Sequence, residues 1–425
     1  MHIIADLHLH SRFSRAVSRE MTIQNLAAWG VKKGIGLLAT GDWTHPLWMQ
    51  EIEQNLEEVG NGLLRLKTTK DGPFFLLSTE LSCIFSQNGK TRRVHVLVWV
   101  PSIASAVNIS QEITKQGGNV LSDGRPILGF TLIRLAELIF TIEPEALIVP
   151  AHIWTPWFSV YGSMGGFDSL KEAFGKYEKN IYAVETGLSS SPNMNWRIGE
   201  LDTRSIISSS DAHSGPKLGR EATIFDLPTL SYTNIKKALM NYTNDLKKPR
   251  VVSTIEFYPE EGKYHFTGHR DCHIRLTPEE VVQKGTTCSV CGKPLTQGVM
   301  QRVEQLATKP FGTKAPNRPP FTMLVPLVEI IGEAIGRPVT SPKVAIQYDA
   351  LLKEFNTEFH ILIDASLDEI KRVSTPEIAD GIKKVRSGDI VIDPGYDGIF
   401  GVVKIWKSEK DKALVSAVGE QETIF

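Results

Sequence analysis

Residues 2–10 read HIIADLHLH, a short apolar run that delivers three groups able to hold a cation, Asp6, His8 and His10. Side chains two apart in a strand share a face, so the imidazoles of His8 and His10 converge on one side of the sheet that the run enters. The same unit recurs through the first half of the chain. GIGLLATGDWTHP (34–46) delivers Asp42 and His45, FFLLSTELSC (74–83) delivers Glu80, and RRVHVLVWV (92–100) carries His95 within the run. ALIVPAHIW (146–154) offers His152, IYAVETGL (181–188) offers Glu185, and RSIISSSDAHS (204–214) offers Asp211 and His213. Helix-like stretches such as MTIQNLAAWGVKKG (21–34) and SYTNIKKALMNY (231–242) fall between these runs, an alternation that predicts parallel strands with crossover helices. Seven strands with polar residues gathered near one end predict an α/β barrel whose site opens at the carboxyl face. An open doubly wound sheet is the competing layout, and it would draw ligands from only a few strands.

Taken singly, a histidine near a strand end is more often a hydrogen-bonded core or surface residue, and Asp-x-His reads equally well as a turn. Six of the 11 histidines, with Glu80 and Asp211, nevertheless fall at equivalent strand ends. Facing so many polar groups into one barrel mouth is costly without an ion, so His8, His10, Glu80, His95, His152, Asp211 and His213 predict a polynuclear metal site. Imidazole and carboxylate ligands admit zinc, manganese or iron, with magnesium as a further option. Two or three such ions suit phosphoryl chemistry, which makes hydrolysis of a phosphate ester the predicted reaction. On this reading water near Glu80 attacks phosphorus in line, and Asp211 and His213 orient it or protonate the departing oxygen.

At 425 residues, with 41% hydrophobic content, the chain is too long for one ordinary domain. We expect a catalytic barrel over 1–255, a zinc-binding module over 256–300, and a linker with a small α+β domain over 301–425. The 47 basic and 48 acidic residues leave a net charge of -1, which excludes a global field drawing the protein onto nucleic acid. Any DNA contact must come from local basic patches. Ile3 and Ile4 run straight into Asp6, too short an apolar stretch for a signal peptide, and no later run approaches membrane-spanning length. The expectation is a cytoplasmic protein with no membrane partner.

Of the four cysteines, Cys83 sits in an apolar run and reads as a small buried hydrophobe, while three crowd into residues 272–291. That crowding suggests a metal cluster in a reducing compartment rather than a disulfide framework. Cys288 and Cys291 form a CxxC knuckle, and His269 with Cys272 repeats the spacing, so His269, Cys272, Cys288 and Cys291 are the preferred ligands of one structural zinc. His265 and His273 are alternative fourth ligands. Arg270, Arg275 and Lys293 surround this set, and Arg302, Lys309, Lys314 and Arg318 follow; they either track a phosphate backbone or form a solvated linker. Further on, FTMLVPLVEIIGEAIG (321–336) predicts an amphipathic helix, FHILIDASLDEIKRV (359–373) a strand followed by a helix, and GDIVIDPGYDGIFGVVKIW (388–406) a hairpin. No chemistry is legible in this last module. The loop after His152 carries Trp154, Trp157, Phe158, Tyr161 and Phe167 among glycines, aromatics that either stack on an extruded base or pack the loop onto the barrel.

ADLHLHS, the Gly-Asp of TGDWTHP, STE, VPAH and SSSDAHS resemble the successive motifs of the polymerase-and-histidinol-phosphatase superfamily. The resemblance implies a distorted seven-stranded barrel with up to three divalent metals. It assigns His8, His10, Glu80 and Asp211 to the first, makes Glu80 the bridge to a second held by His95 and His152, and gives His213 to a third. The superfamily's second motif places histidine directly after aspartate, whereas Trp43 follows Asp42 here, so either Asp42 or His45 substitutes or the third site is incomplete. Longer strings, HIWTPWFSVYGSMGGFDSL (152–170), AVETGLSSSPNMNW (183–196) and SDAHSGPKLGREA (210–222), together with the cysteine module, resemble the endonuclease Q family over essentially the whole chain. That resemblance implies DNA repair by incision 5′ to deaminated bases (uracil, hypoxanthine or xanthine) or abasic sites, leaving 3′-hydroxyl and 5′-phosphate ends. It also implies contact with a sliding clamp, and Gln421-Glu422-Thr423-Ile424-Phe425 resembles a truncated clamp-binding tail. Two other readings stand beside it: a phosphatase of the same superfamily acting on small phosphate monoesters, and a DNA-binding adaptor with an inactive barrel. The cysteine module and basic linker argue against the first, and the intact ligand set for two metals argues against the second.

Overall fold

The run that opens the chain becomes the strand His2–Asp6, which lies inside a mixed sheet in a computed structural model describing residues 1–408. It pairs antiparallel with Ala222–Asp226 on one side and parallel with Leu37–Ala39 on the other. The sheet extends through Arg250–Glu256 to Phe321–Met323 at one edge, and through Phe74–Gln87 and Leu64–Leu66 to Leu56–Glu58 at the other. Helices Ile23–Lys33 and Tyr232–Met240 form where the periodicity predicts them. Thr22 and Ser231 cap their first turns by accepting the N–H groups of Asn25 and Asn234.

A uniformly parallel sheet is not what forms. Phe74–Gln87 and Lys90–Val100 run antiparallel in one long ladder, from Leu77 opposite Val100 to Gln87 opposite Lys90. The two residues between them, Asn88 and Gly89, have φ of 54° and 73°. Positive φ at both central residues matches the right-handed twist of a hairpin, and Asn-Gly is its preferred sequence. The second arm of this hairpin also pairs antiparallel with Leu147–Pro150. Ala183–Glu185 and Ser205–Ile207 form a separate parallel pair. Among the described residues no strand pairing closes the sheet into a ring, so the architecture is a mixed α/β sheet rather than a demonstrated closed barrel.

The C-terminal third departs from expectation in two places. Phe321–Met323 joins the main sheet beside Arg250–Glu256, and the helix in that stretch begins only at Leu327, after Pro326. The segment 359–373 contains no strand; it forms the helices Glu358–Ile363 and Leu367–Val373. Thr357 caps the first of these by accepting from the His360 N–H, and Phe359, Ile361 and Leu362 are buried while His360 is exposed, as one-sided packing of a helix requires. The predicted hairpin does form, from Val391–Asp393 and Val402–Lys404. The Gln421–Phe425 tail lies outside the described residues.

A buried ion pair fixes these helices to the N-terminal part. Lys33 Nζ lies 2.6 Å from Glu358 Oε2, with both side chains 4% exposed. Glu358 also accepts from the Tyr348 hydroxyl at 2.7 Å and from Leu327 N at 3.1 Å. Removing one partner of such a pair strands the other charge and costs about 3–5 kcal/mol. Among the described residues no helix is long and apolar enough to cross a membrane.

Candidate metal centre

Glu80 lies within the long strand Phe74–Gln87, and its two carboxylate oxygens face different partners. Oε2 is 3.2 Å from His10 Nε2 and 3.6 Å from His8 Nε2. Oε1 is 2.7 Å from His95 Nδ1 and 3.0 Å from His152 Nε2. Asp211 Oδ1 completes the first side, 3.1 Å from His10 Nε2 and 3.6 Å from His8 Nε2. The result is two donor groups, His8/His10/Asp211 and Glu80/His95/His152, each with its ligand atoms within 4.8 Å of one another.

The residues present fit divalent metals. His8 Nε2, His10 Nε2, His95 Nδ1 and Asp211 Oδ1 are buried and make no hydrogen bond. Several unpaired buried polar atoms in one place are expensive, and cations between them remove that cost. The electrostatics show a strongly acidic setting, in which a cation would take the place of the protons on His8 and His10. Burial works to lower His8 and His10, yet Glu185, Asp211 and Glu80 around the first and Asp42 and Asp211 around the second raise both well above the ordinary imidazole value. Burial likewise works to raise Glu80 and Asp211, but the imidazoles beside them hold both below the usual carboxylate range. The carboxylates therefore stay charged and attract a cation. Burial pushes His95 down to about 4, which leaves it neutral and able to ligate.

Further residues hold these ligands in place. The Nδ1 of His8 donates to Glu185, 3.1 and 3.0 Å from its two oxygens, and His152 N donates to the same carboxylate at 2.9 Å. Asp42 accepts from His10 Nδ1 at 3.0 Å, and its other oxygen accepts from Ser11 N, Ser11 Oγ and Ser14 Oγ at 2.6, 2.7 and 2.8 Å. Asp42 thus stands behind His10, bonded to His10, Ser11 and Ser14, and belongs to neither donor group. His45 stacks on Phe13 with ring centroids 4.6 Å apart and also stays outside. His213 stands at the rim, its Nδ1 2.8 Å from the Asp211 carbonyl oxygen and its ring edge-on to His10 at 4.8 Å. Among the described residues no third donor group forms around His213, Asp42 or His45.

Asp42, His152 and Asp211 all have left-handed backbone, with φ of 45°, 29° and 47°. Such conformations are costly for non-glycine residues and persist where the surroundings over-determine them. Gly187, φ 57°, is part of that surrounding: a Cβ there would stand 2.3 Å from the Cβ of His152, so only glycine admits this approach.

A cavity of about 690 Å³ opens over the donors, walled by His95, His152, Arg125, Trp157, Phe158 and Tyr264. Of the predicted aromatic loop, Trp157 and Phe158 face it. Trp154, Tyr161 and Phe167 do not. They are buried in the core, where the Trp154 indole donates to Asn195 at 2.7 Å, the Tyr161 hydroxyl to Glu200 at 2.6 Å, and Phe167 lies under Arg92 at 4.1 Å. These three pack the loop onto the body, where no base can stack on them. Arg270, Arg275 and Lys293 are exposed and do not line the cavity; Arg275 is paired with Asp393 at 2.6 Å. Two residues escape the sequence reading. Glu185 is visible as a strand-end acid, but nothing local marks it as the partner of His8. Arg125 belongs to no motif, yet its Nη1 lies 3.0 Å from Glu80 Oε2, on a loop held by Gly124 N to Phe13 O and Ser82 N to Pro126 O, both 3.1 Å.

A second cluster lies in the cysteine module. One donor atom each from His269, Cys272, Cys288 and Cys291 falls within 4.8 Å of the others, around the antiparallel pair Thr267–His269 and Ile274–Leu276. His265 is buried beside the cavity and pushed down to about 4 by burial, while His273 occupies a left-handed turn at φ 53°. Neither joins the cluster. Cys83 is buried, and burial pushes its thiol up to about 12.

The family model of the MJ0043 C-terminal domain matches residues 326–389. The uncharacterized protein MJ0043 of Methanocaldococcus jannaschii is 33% identical over 260 residues, 59% of this chain, and the chain spans only 31% of that relative's length. Two solved structures match nearly throughout. The lesion-specific endonuclease PfuEndoQ of Pyrococcus furiosus superposes with a TM-score of 0.83 at 30% identity, covering 96% of this chain and 97% of that one. Endonuclease Q in complex with a 27-mer duplex substrate, an abasic lesion at its active site, superposes with a TM-score of 0.83 at 31% identity and the same 96% and 97% coverage. A likeness that runs through the sheet, the cysteine module and the C-terminal helices alike leaves one assignment: the chain belongs to the endonuclease Q family.

Proposed function

We propose that this chain is a metal-dependent endonuclease of DNA repair, hydrolysing the phosphodiester 5′ to a deaminated base (uracil, hypoxanthine or xanthine) or an abasic site. The products are a 3′-hydroxyl and a 5′-phosphate. One observation carries the reading: Glu80 turns one oxygen toward His8 and His10 and the other toward His95 and His152, beneath a cavity of about 690 Å³, a volume suited to one extruded nucleotide. The solved family member bound to abasic duplex supports the substrate class.

His8, His10, Glu80 and Asp211 would hold one ion, and Glu80, His95 and His152 would hold a second; zinc, manganese and iron suit these ligands, and magnesium is a further option. Bound there, the ions supply Lewis-acid activation of water and neutralise charge on the phosphoryl oxygens. The protein's own groups do the rest. Glu185 and Asp42 bond the Nδ1 atoms of His8 and His10, which fixes both rings with Nε2 toward the centre. His213 Nδ1 donates to the Asp211 carbonyl and burial keeps the ring neutral, so its unprotonated Nε2 serves to orient the attacking water by accepting its proton. Arg125, in the cavity wall, neutralises a phosphate oxygen. Trp157 and Phe158 offer faces to the base, and exposed Arg270 and Lys293 reach flanking phosphates. The Cys3His cluster binds a structural zinc, since four protein ligands leave no position for water.

Incision mapping tests this on labelled duplexes, each carrying one uracil, hypoxanthine or abasic site, with undamaged DNA as control. The expected product is a single cut 5′ to the lesion, lost in Asp211→Ala while DNA binding remains measurable. Full incision by that variant overturns the site. Hydrolysis of small phosphate monoesters without incision of any duplex would assign a phosphatase instead.

A further inference from the structure

The hairpin Val391–Asp393/Val402–Lys404 comes from the C-terminal part of the chain, yet its loop ends at the mouth of the metal cavity. Four backbone hydrogen bonds clamp that loop to the segment 260–266. Gly395 N donates to Glu260 O at 2.8 Å, Gly398 N to Lys263 O at 2.8 Å, Gly401 N to Glu261 O at 3.0 Å, and Phe266 N to Gly395 O at 3.0 Å. A Cβ on Gly401 would come within 2.1 Å of Glu260 O, so the two backbones lie as close as glycine permits. The clamped segment itself walls the cavity through Gly262, Lys263 and Tyr264.

On this anchored loop Phe400 lines the cavity and is nevertheless 69% exposed. Its ring lies 5.6 Å from Lys263 Nζ, the same ammonium is 5.7 Å from the Tyr264 ring, and Tyr264 packs edge-on against Trp157 at 5.0 Å. An aromatic held in water on a rigid backbone forgoes the burial that ordinarily stabilises it. An aromatic face beside a cation is what an unstacked base and its phosphate require.

We propose that Phe400 is a wedge: it enters the duplex stack in the gap left when a lesion nucleotide turns into the cavity, while Lys263 meets the adjacent phosphate. The proposal rests on the reading of the chain as a DNA endonuclease. The occupant is a base step of duplex DNA because the cavity beside Phe400 has the size of a small-ligand site, so the remaining duplex must stay outside, against the rim. An apolar side chain inserted between base steps at that rim holds the opened conformation.

The test compares the wild type with Phe400→Ala and Phe400→Trp on abasic DNA, duplex and single-stranded, with 2-aminopurine beside the lesion to report unstacking. Metal content verifies that each variant is folded and loaded. Phe400→Ala is expected to lose roughly tenfold in kcat/KM on duplex, the scale of one base–aromatic stack, together with the 2-aminopurine rise on binding. Its loss on the single strand, where a stack can form but nothing needs wedging apart, is expected to be clearly smaller than on duplex, and Phe400→Trp is expected to restore both duplex readouts. Wild-type duplex incision by Phe400→Ala, or an equal loss on both substrates, overturns the wedge while leaving the endonuclease reading in place. A wild type that incises neither substrate overturns that reading and the wedge with it.

Discussion

Oε2 of Glu185 accepts from Nδ1 of His8 at 3.0 Å, and the same oxygen accepts the backbone N–H of His152 at 2.9 Å. One buried acid therefore steadies a member of each donor group, although it belongs to neither. The carboxylate holds a proton of His8 on Nδ1 and leaves Nε2 facing Glu80 and Asp211.

Glu185→Gln keeps the shape but weakens this hold. The expected outcome is a loss of roughly 10–100-fold in affinity for divalent metal, the range typical for partners behind a metal ligand. Metal titration of chelator-stripped protein measures it. An unchanged affinity would show that packing alone orients His8.

Arg125 places its guanidinium 3.0 Å from Glu80 and in the cavity wall. A charge-assisted hydrogen bond to a phosphate is worth about 1.5–3 kcal/mol, so Arg125→Ala is expected to lose roughly 10–100-fold in kcat/KM on lesion-bearing DNA. Arg125→Lys should recover only part, because an ammonium lacks the planar fork. Steady-state kinetics decide, and activity equal to wild type in the alanine variant removes Arg125 from substrate binding.

Behind Glu185 lie two more buried acids, Glu221 and Glu256. Burial raises Glu256, the hydroxyls of Ser208 and Thr254 pull it back, and the net effect is a shift from 4.5 up to about 8. Between those values the folded protein keeps a proton that the unfolded chain has released. Stability from this group is thus complete below about 4.5, falls as pH rises, and stays reduced above about 8. Glu256→Gln, permanently neutral, is expected to match the wild-type Tm near the acid end of this window and exceed it above the alkaline end. Thermal melts across the range test the sign, and parallel curves would place the proton elsewhere.

Cys272→Ser breaks the Cys3His cluster without touching the donor groups around Glu80. We expect loss of one zinc per chain by elemental analysis and new protease cleavage between 267 and 296, with any metals at the Glu80 centre retained. Arg270 N donates to Asp397 at 2.7 Å and Arg275 pairs with Asp393, so the Phe400 loop should loosen as well. An intact, protease-resistant module after zinc removal would make the cluster dispensable.

Local pattern and chemistry were legible in particular places. The apolar run before His8 and His10 is a strand, the period over 23–33 is a helix between Thr22 and Gly34, and His269 with the three cysteines gathers as their spacing suggests. Strand direction was signalled as well, but by only two residues: Asn88-Gly89 turns the chain back where alternating runs elsewhere suggest a crossover. The stretch 359–373 misleads because a short apolar run looks the same in a buried strand and a buried helix, and only its neighbours decide.

By itself, then, the amino-acid order determined which chemistry is present: imidazoles and acids at strand ends, a four-donor cluster, aromatic residues after His152. Tertiary structure decided where each buried acid points. Glu80, Asp42 and Glu185 are all fully enclosed carboxylates near histidines, yet only Glu80 places one oxygen toward each donor group. It alone decided that Arg125 and Phe400, 45 and 320 residues from Glu80, stand at the same cavity. The physical reason is range: periodicity and capping act over about one turn or one strand, whereas ligation and stacking depend on ångström distances between segments that meet only when the core is packed.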